Sequence, residues 1–205
     1  KIIRDIIHIK STKEKLINKN GIEIGYIRIT SFNKDTAKEF LESYNKLNKP
    51  KKIIIDLRNN GGGLLDQAVK ITSYFVENKR LAVYLKSKNG IERDYYTYSN
   101  EKIDADVVIL VNNYTASAAE ILAQSLKDLK KDTIIVGVPS YGKNSVQTLF
   151  NLMDGGVLKL TIAKYYTLSN RDISKDKVSL DYKVDFNDSN PLDFASDKDA
   201  QLNKA

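Results

Sequence analysis

The chain contains no cysteine and one histidine, His8. No thiol can therefore act as a nucleophile, and no Cys/His set can hold zinc. A Ser-His-Asp triad would have to recruit His8. That residue lies in Ile6-Ile7-His8-Ile9, an apolar run that reads as strand, where an ordinary strand histidine is expected. Nucleophilic catalysis thus falls to serine or threonine with a base other than imidazole, and lysine is the candidate. Only three prolines occur, and the ten glycines are partly bunched at Gly61–Gly63 and Gly155–Gly156, which is punctuation for a compact fold rather than a linker-rich chain. No apolar run approaches the ~18 residues needed to span a bilayer. No block of five like charges and no interleaved basic-aromatic motif is present, so the net charge of +7 reads as a lysine-rich surface, and no nucleic-acid partner is expected. The absence of G-x-G-x-x-G leaves a dinucleotide site without support.

What is present suffices for one substantial core: 205 residues, 41% of them hydrophobic, with 12 tyrosines and 6 phenylalanines. An apolar strand (Ile2–Ile9) and a charged turn lead to Gly21–Thr30, which alternates as a strand should. A helix with its apolar face at Ala37, Phe40, Leu41, Tyr44 and Leu47 follows and stops before Pro50. Lys52–Leu57 and Val107–Val111 are apolar without alternation, the pattern of strands buried on both faces of a parallel sheet. Helices are expected from Leu64 to Phe75 and over 117–130, the latter apolar along one face. Thr133–Val136 reads as another buried strand. Hairpins are expected around Lys88-Asn89-Gly90 and around Asp154-Gly155-Gly156. The polar tail from Asp185 becomes helical after Asp197. The order strand, helix, strand specifies an α/β fold with a mainly parallel core. Three regions are expected: 1–20 as strand and linker, 21–184 as core and 185–205 as tail. The chain opens on Lys1, so it reads as a processed or excised piece, with any targeting segment or membrane anchor outside it.

Two residues in Tyr114–Gln147 can do chemistry together. Ser117 stands where a buried strand turns into a helix, and Ser117-Ala118-Ala119-Glu120 matches the capping box. Many serines occupy that position only as caps. The same geometry also surrounds the hydroxyl with unpaired amides and the positive end of the helix dipole. Asp56-Leu57-Arg58-Asn59-Asn60-Gly61-Gly62-Gly63, between a buried strand and a helix, can turn amides outward toward an oxyanion, or can be a plain turn. Lys143 follows Gly142 in a loop that nearly matches the phosphate-binding pattern G-x-x-x-x-G-K-[ST], but Asn144 replaces the hydroxyl and a strand replaces the required helix. For Lys143 to serve as a base, a reference pKa of about 10.4 must fall by roughly three units through burial away from carboxylates. Gln147 offers a neutral group that can orient the amine without recharging it.

Three segments, DLRNNGGGLLDQAV, VILVNNYTASAAEILAQSLKD and VGVPSYGKNSVQ with the downstream LKLTIAKYYTLSNRDI, resemble the carboxyl-terminal processing (tail-specific) proteases over about residues 21–184. The resemblance implies a serine endopeptidase on a core shared with crotonases and the Clp protease subunit, working through a Ser/Lys dyad. It places the nucleophile at Ser117, the base at Lys143, a supporting glutamine at Gln147 and oxyanion amides at Ala118 and at Gly62 or Gly63. Asp128 matters in some members of the family; here a helix-surface role is equally open. No metal or organic cofactor is implied. The partner is a protein or peptide substrate with an accessible C-terminal tail, and an oligomer is compatible with the reading. The location implied is extracytoplasmic: periplasm, cell envelope or thylakoid lumen. The wording TASAAEI and YGKNSVQ leans toward cyanobacterial and plastid members. The family's peptide-binding PDZ domain has no counterpart in the sequence, so the chain is expected to be the catalytic core alone. Gly61 stands where the family usually has proline. Two other readings stay open: a crotonase-like acyl-thioester enzyme, which needs no Ser/Lys pair, and a non-catalytic peptide-binding module with a vestigial site.

Overall fold

The computed structural model describes residues 9–90, 92–185, 195–196 and 198–205. The expected strand at Ile2–Ile9, with His8, lies outside the described residues except for Ile9. Ten strands and five helices are described: β1 (Thr12–Lys19), β2 (Ile22–Ile29), α1 (Thr36–Lys46), β3 (Lys52–Asp56), α2 (Leu65–Phe75), β4 (Leu81–Ser87), β5 (Glu92–Tyr96), β6 (Asp106–Val111), α3 (Ala118–Leu129), β7 (Ile134–Gly137), β8 (Ser145–Asn151), β9 (Val157–Thr167), α4 (Ile173–Asp176), β10 (Tyr182–Lys183) and α5 (Ala200–Lys204). No described helix is long and apolar enough to cross a membrane.

The larger sheet runs β1-β2-β3-β6-β7-β10, and every pair in it is parallel except β1 with β2. The unalternating run Lys52–Asp56 is explained by its neighbours. Ile53 and Ile55 pack with Phe40, Ile71 and Leu122 on one face, while Ile54 packs with Tyr26, Leu110 and Val136 on the other. Thr12–Lys19 was expected to be a charged turn and is instead the edge strand β1. Its lysines suit a solvent-facing edge, and Asn20-Gly21, both at positive φ, makes the tight turn that pairs it with β2.

The two expected hairpins do not stand apart. β4 pairs with β9 from Val83↔Thr167 to Ser87↔Ala163, fusing them into an antiparallel sheet of order β5-β4-β9-β8. Helix α3 touches strands of both sheets. It is therefore buried all round from Ala118 to Leu126, rather than along one face. Its polar residues find partners inside, as when the Ser125 hydroxyl donates to the Ala82 carbonyl at 2.9 Å.

The tail is also part of the core. Asp199 caps α5, accepting from the Leu202 amide at 3.0 Å, and it meets Arg58, which is buried beneath it. The guanidinium donates to Asp199 at 2.9 and 2.7 Å and to Asp56 at 3.0, 3.1 and 2.6 Å, while Tyr26 donates to Asp56 at 2.6 Å. Nothing local in the sequence announces this pairing across 141 residues. Burial alone would raise the Asp199 pKa, but the Arg58 hydrogen bonds and charge, with two backbone amides, hold it below the ordinary range. A depressed carboxylate stabilises the fold above its unfolded pKa, ~3.9 for aspartate, and that stabilisation disappears as the pH falls through the depressed value. Asp199→Ala, which removes one of the two carboxylates that pair with the buried guanidinium, should cost about 3–5 kcal/mol in urea unfolding at neutral pH. The gap between parent and variant should narrow in acid; a constant gap down to the lowest pH would contradict the assignment.

Candidate active site

Ser117 joins β6 to α3 with φ 56° and ψ −121°, a conformation that costs a non-glycine residue roughly 1–3 kcal/mol. The turns on either side hold it there. Asn59 and Asn112 bond reciprocally, from the Asn59 amide at 2.9 Å and the Asn112 side-chain amide at 2.6 Å. The Thr115 hydroxyl donates to the Leu57 carbonyl at 2.9 Å, and the Ala116 amide to the Asn60 carbonyl at 2.9 Å. The glycine turn after β3 is thus stitched to the turn that presents the serine. Gly62 comes so near that a Cβ on it would stand 2.7 Å from Ser117 Cβ and 2.9 Å from the Ala118 nitrogen.

That packing separates the two glycines. The Gly62 amide donates to Asn60 Oδ1 at 2.8 Å and is not available to a ligand. Gly63 forms a parallel bridge with Phe32 through its neighbours, the Phe32 amide donating to the Gly62 carbonyl and the Leu64 amide to the Phe32 carbonyl. This arrangement leaves the amide of Gly63 itself outside the ladder. The Ala118 amide, first in the helix, likewise has no intrahelical partner.

Lys143 is half-buried, in the loop between β7 and β8. No ion pair or hydrogen bond of its amine occurs among the described residues. It lines a cleft of about 330 Å³ with Ser117, Gly63, Gln147, Lys159 and Tyr165. No hydrogen bond joins the Ser117 hydroxyl to the amine in this state; such contacts commonly tighten only when substrate is bound. Gln147 shares the cleft without bonding Lys143, and it sits where β8 shifts register against β9, which carries the extra residue Ile162. Asp128 is elsewhere. It lies at the far end of α3, roughly 16 Å along the axis from Ser117, accepting from the Gln124 side chain at 2.8 Å and the Ser169 amide at 3.0 Å. Its contacts are those of a residue that secures the turn after β9.

In sequence Glu120 reads only as part of a capping box, and the structure assigns it a larger role. Fully buried, its carboxylate accepts from the Ser117 amide (2.9 Å), the Ser140 hydroxyl (2.7 Å), the Gly142 amide (2.7 Å) and the Lys143 amide (2.9 Å). One side chain therefore holds the backbone of the nucleophile candidate and the backbone of the base candidate. Burial pushes its pKa up, and the four donated bonds draw it part of the way back. Tyr165, also buried, donates to the Ser117 carbonyl at 3.3 Å.

The family model for peptidase family S41 matches residues 23–184. A carboxyl-terminal-processing protease from Picosynechococcus is 38% identical, over 85% of this chain and 42% of its own length. The carboxy-terminal processing protease of Bacillus subtilis is 34% identical, over 91% of this chain and 40% of its own. These identities are close, so the wording shared with photosynthetic members does not single them out. Among solved structures, a photosystem II D1 C-terminal processing protease superposes with a TM-score of 0.76 at 31% identity, covering 87% of this chain and 49% of that one. The chain spans about two fifths of the length of the curated relatives it matches.

Proposed function

Because this chain belongs to peptidase family S41, we propose that its cleft hydrolyses peptide bonds near the C-termini of protein substrates through a Ser117–Lys143 dyad. The Ser117 hydroxyl attacks the scissile carbonyl carbon and its proton passes to the Lys143 amine, which acts as the base. The oxyanion of the tetrahedral intermediate is held by the amides of Ala118 and Gly63. As the intermediate collapses, the C–N bond breaks and Lys143 returns the proton to the leaving amine. Water, deprotonated by Lys143, then attacks the Ser117 ester, and protonation of the serine releases the shortened substrate. Gln147 supports the amine from within the cleft. The reaction is assigned outside the cytoplasm, the location that the resemblance to carboxyl-terminal processing proteases implies.

One observation carries the reading. Ser117 and Lys143 line one cleft, their backbones fixed to a single buried carboxylate, while the amine itself forms no ion pair or hydrogen bond with an acidic group among the described residues. The carboxylate thus serves to position the two residues, its oxygens taken up by four donors. Incubation with an unstructured peptide, followed by mass spectrometry, should yield fragments cut near the C-terminus that are absent with Ser117→Ala. Absence of cleavage, or products that persist in the variant, would overturn the assignment.

A further inference from the structure

A second cleft, about 570 Å³, adjoins the first, and Lys143 and Gly61 belong to both. A peptide whose scissile bond lies between Ser117 and Lys143 therefore has part of its length in this second space. Two rings border it: Tyr114, 58% exposed, and Tyr141, 62% exposed. Neither ring belongs to the buried core. Their backbones are nonetheless fixed. The Tyr141 amide donates to the Thr115 carbonyl at 2.9 Å, the Tyr114 amide to Asn112 Oδ1 at 3.2 Å, and the adjacent Gly142 amide to Glu120 at 2.7 Å. Besides Lys143, Asn144 and Ser145, the rest of the lining is small: Ala116, Gly142 and Gly61, and a Cβ added to Gly61 would meet nothing within 4 Å. Aromatic rings on anchored backbone beside lining with little bulk at Gly61 make a ready-formed place for a side chain.

Its charge is equally specific. Among the described residues no carboxylate lines the cleft, and Lys143 is the one amine that does. An acidic substrate side chain placed there would stand beside the amine and compete for it as an ion-pair partner.

We propose that Tyr114 and Tyr141 are specificity-determining residues, walling a subsite next to the cleaved bond that takes a bulky uncharged side chain and discriminates against Asp and Glu. The proposal rests on the peptidase reading above and adds to it the substrate class. Its test uses a peptide series in which the residues flanking the cut are varied one at a time to Ala, Leu, Phe and Glu. At one flanking position, Leu or Phe should exceed Ala in kcat/KM by roughly tenfold or more. Glu there should lower kcat more than it raises KM. In Tyr114→Ala/Tyr141→Ala the Leu-to-Ala ratio should fall toward one, while Tyr114→Phe/Tyr141→Phe should retain it, since the rings and not the hydroxyls form the walls. Gly61→Leu, which adds bulk to the lining, should turn the preference toward Ala. A ratio preserved in the double alanine variant, or lost equally in the phenylalanine variant, overturns the subsite while leaving the peptidase reading intact. Failure of the parent protein to cut any peptide overturns both.

Discussion

Lys143→Arg should silence peptide cleavage as thoroughly as Lys143→Ala, although arginine keeps a cation of similar reach in the cleft. The reason is chemical. A base must offer a lone pair, and a guanidinium remains protonated at any pH the fold survives. If Lys143 acted only by its charge, steadying the oxyanion or a substrate carboxylate, arginine would preserve much of the activity. General-base contributions run to roughly 10²–10⁴-fold, and both variants should fall by at least that much in kcat. Groups that act as a unit are not additive, so Ser117→Ala/Lys143→Ala should be no slower than Ser117→Ala alone. The measurement is kcat on one peptide for the parent and the four variants, with folding checked by circular dichroism. Substantial activity in Lys143→Arg would show that the amine is not the proton acceptor.

Glu120→Gln should be nearly as damaging, from a residue that takes no part in bond making. Four donors converge on its two oxygens. A glutamine has one oxygen and one NH₂ group, so whichever way it turns, two of these donors face another donor. If the NH₂ meets Ser117 and Lys143, both backbone amides lose their acceptor. If it meets Ser140 and Gly142, the hydroxyl can rotate but the Gly142 amide cannot. Each buried group left unpaired costs about 1–3 kcal/mol, and relief comes from displacing the loop that carries Lys143. Misplacement of a catalytic group by about 1 Å can cost roughly 100-fold in rate. The expectation is a kcat lowered about 100-fold with KM little changed, measured in conditions where urea titration shows the variant folded. Full kcat in a destabilised but folded variant would reduce Glu120 to a helix cap.

The sequence made some of this legible and hid the rest for identifiable reasons. Ser117 could be placed because a buried strand followed by a capping box is a local signal. The α/β core was visible in runs such as Lys52–Asp56, whose lack of alternation reports two buried faces. Hidden features depend on partners remote in the chain. Asn60 occupies the Gly62 amide, which separates two glycines that read alike. Glu120 shows its capping spacing in sequence, but not that its other oxygen accepts from Ser140 and Gly142. Asp199 lies in a polar tail that reads as surface until Arg58 is found beneath it. The all-round burial of α3 follows from the joining of β4 to β9, a pairing neither hairpin reveals by itself. The Asn-Gly turn after β1 was a local signal and should have revealed that strand.

The most direct test of the account is to treat the protein with a serine-directed acylating probe and locate the adduct by peptide mapping, in the parent, Lys143→Ala and Lys143→Arg. A single adduct on Ser117 in the parent, formed far more slowly or not at all in both lysine variants, is the predicted result. Modification at another serine, or labelling of Ser117 at an undiminished rate without the Lys143 amine, would contradict it.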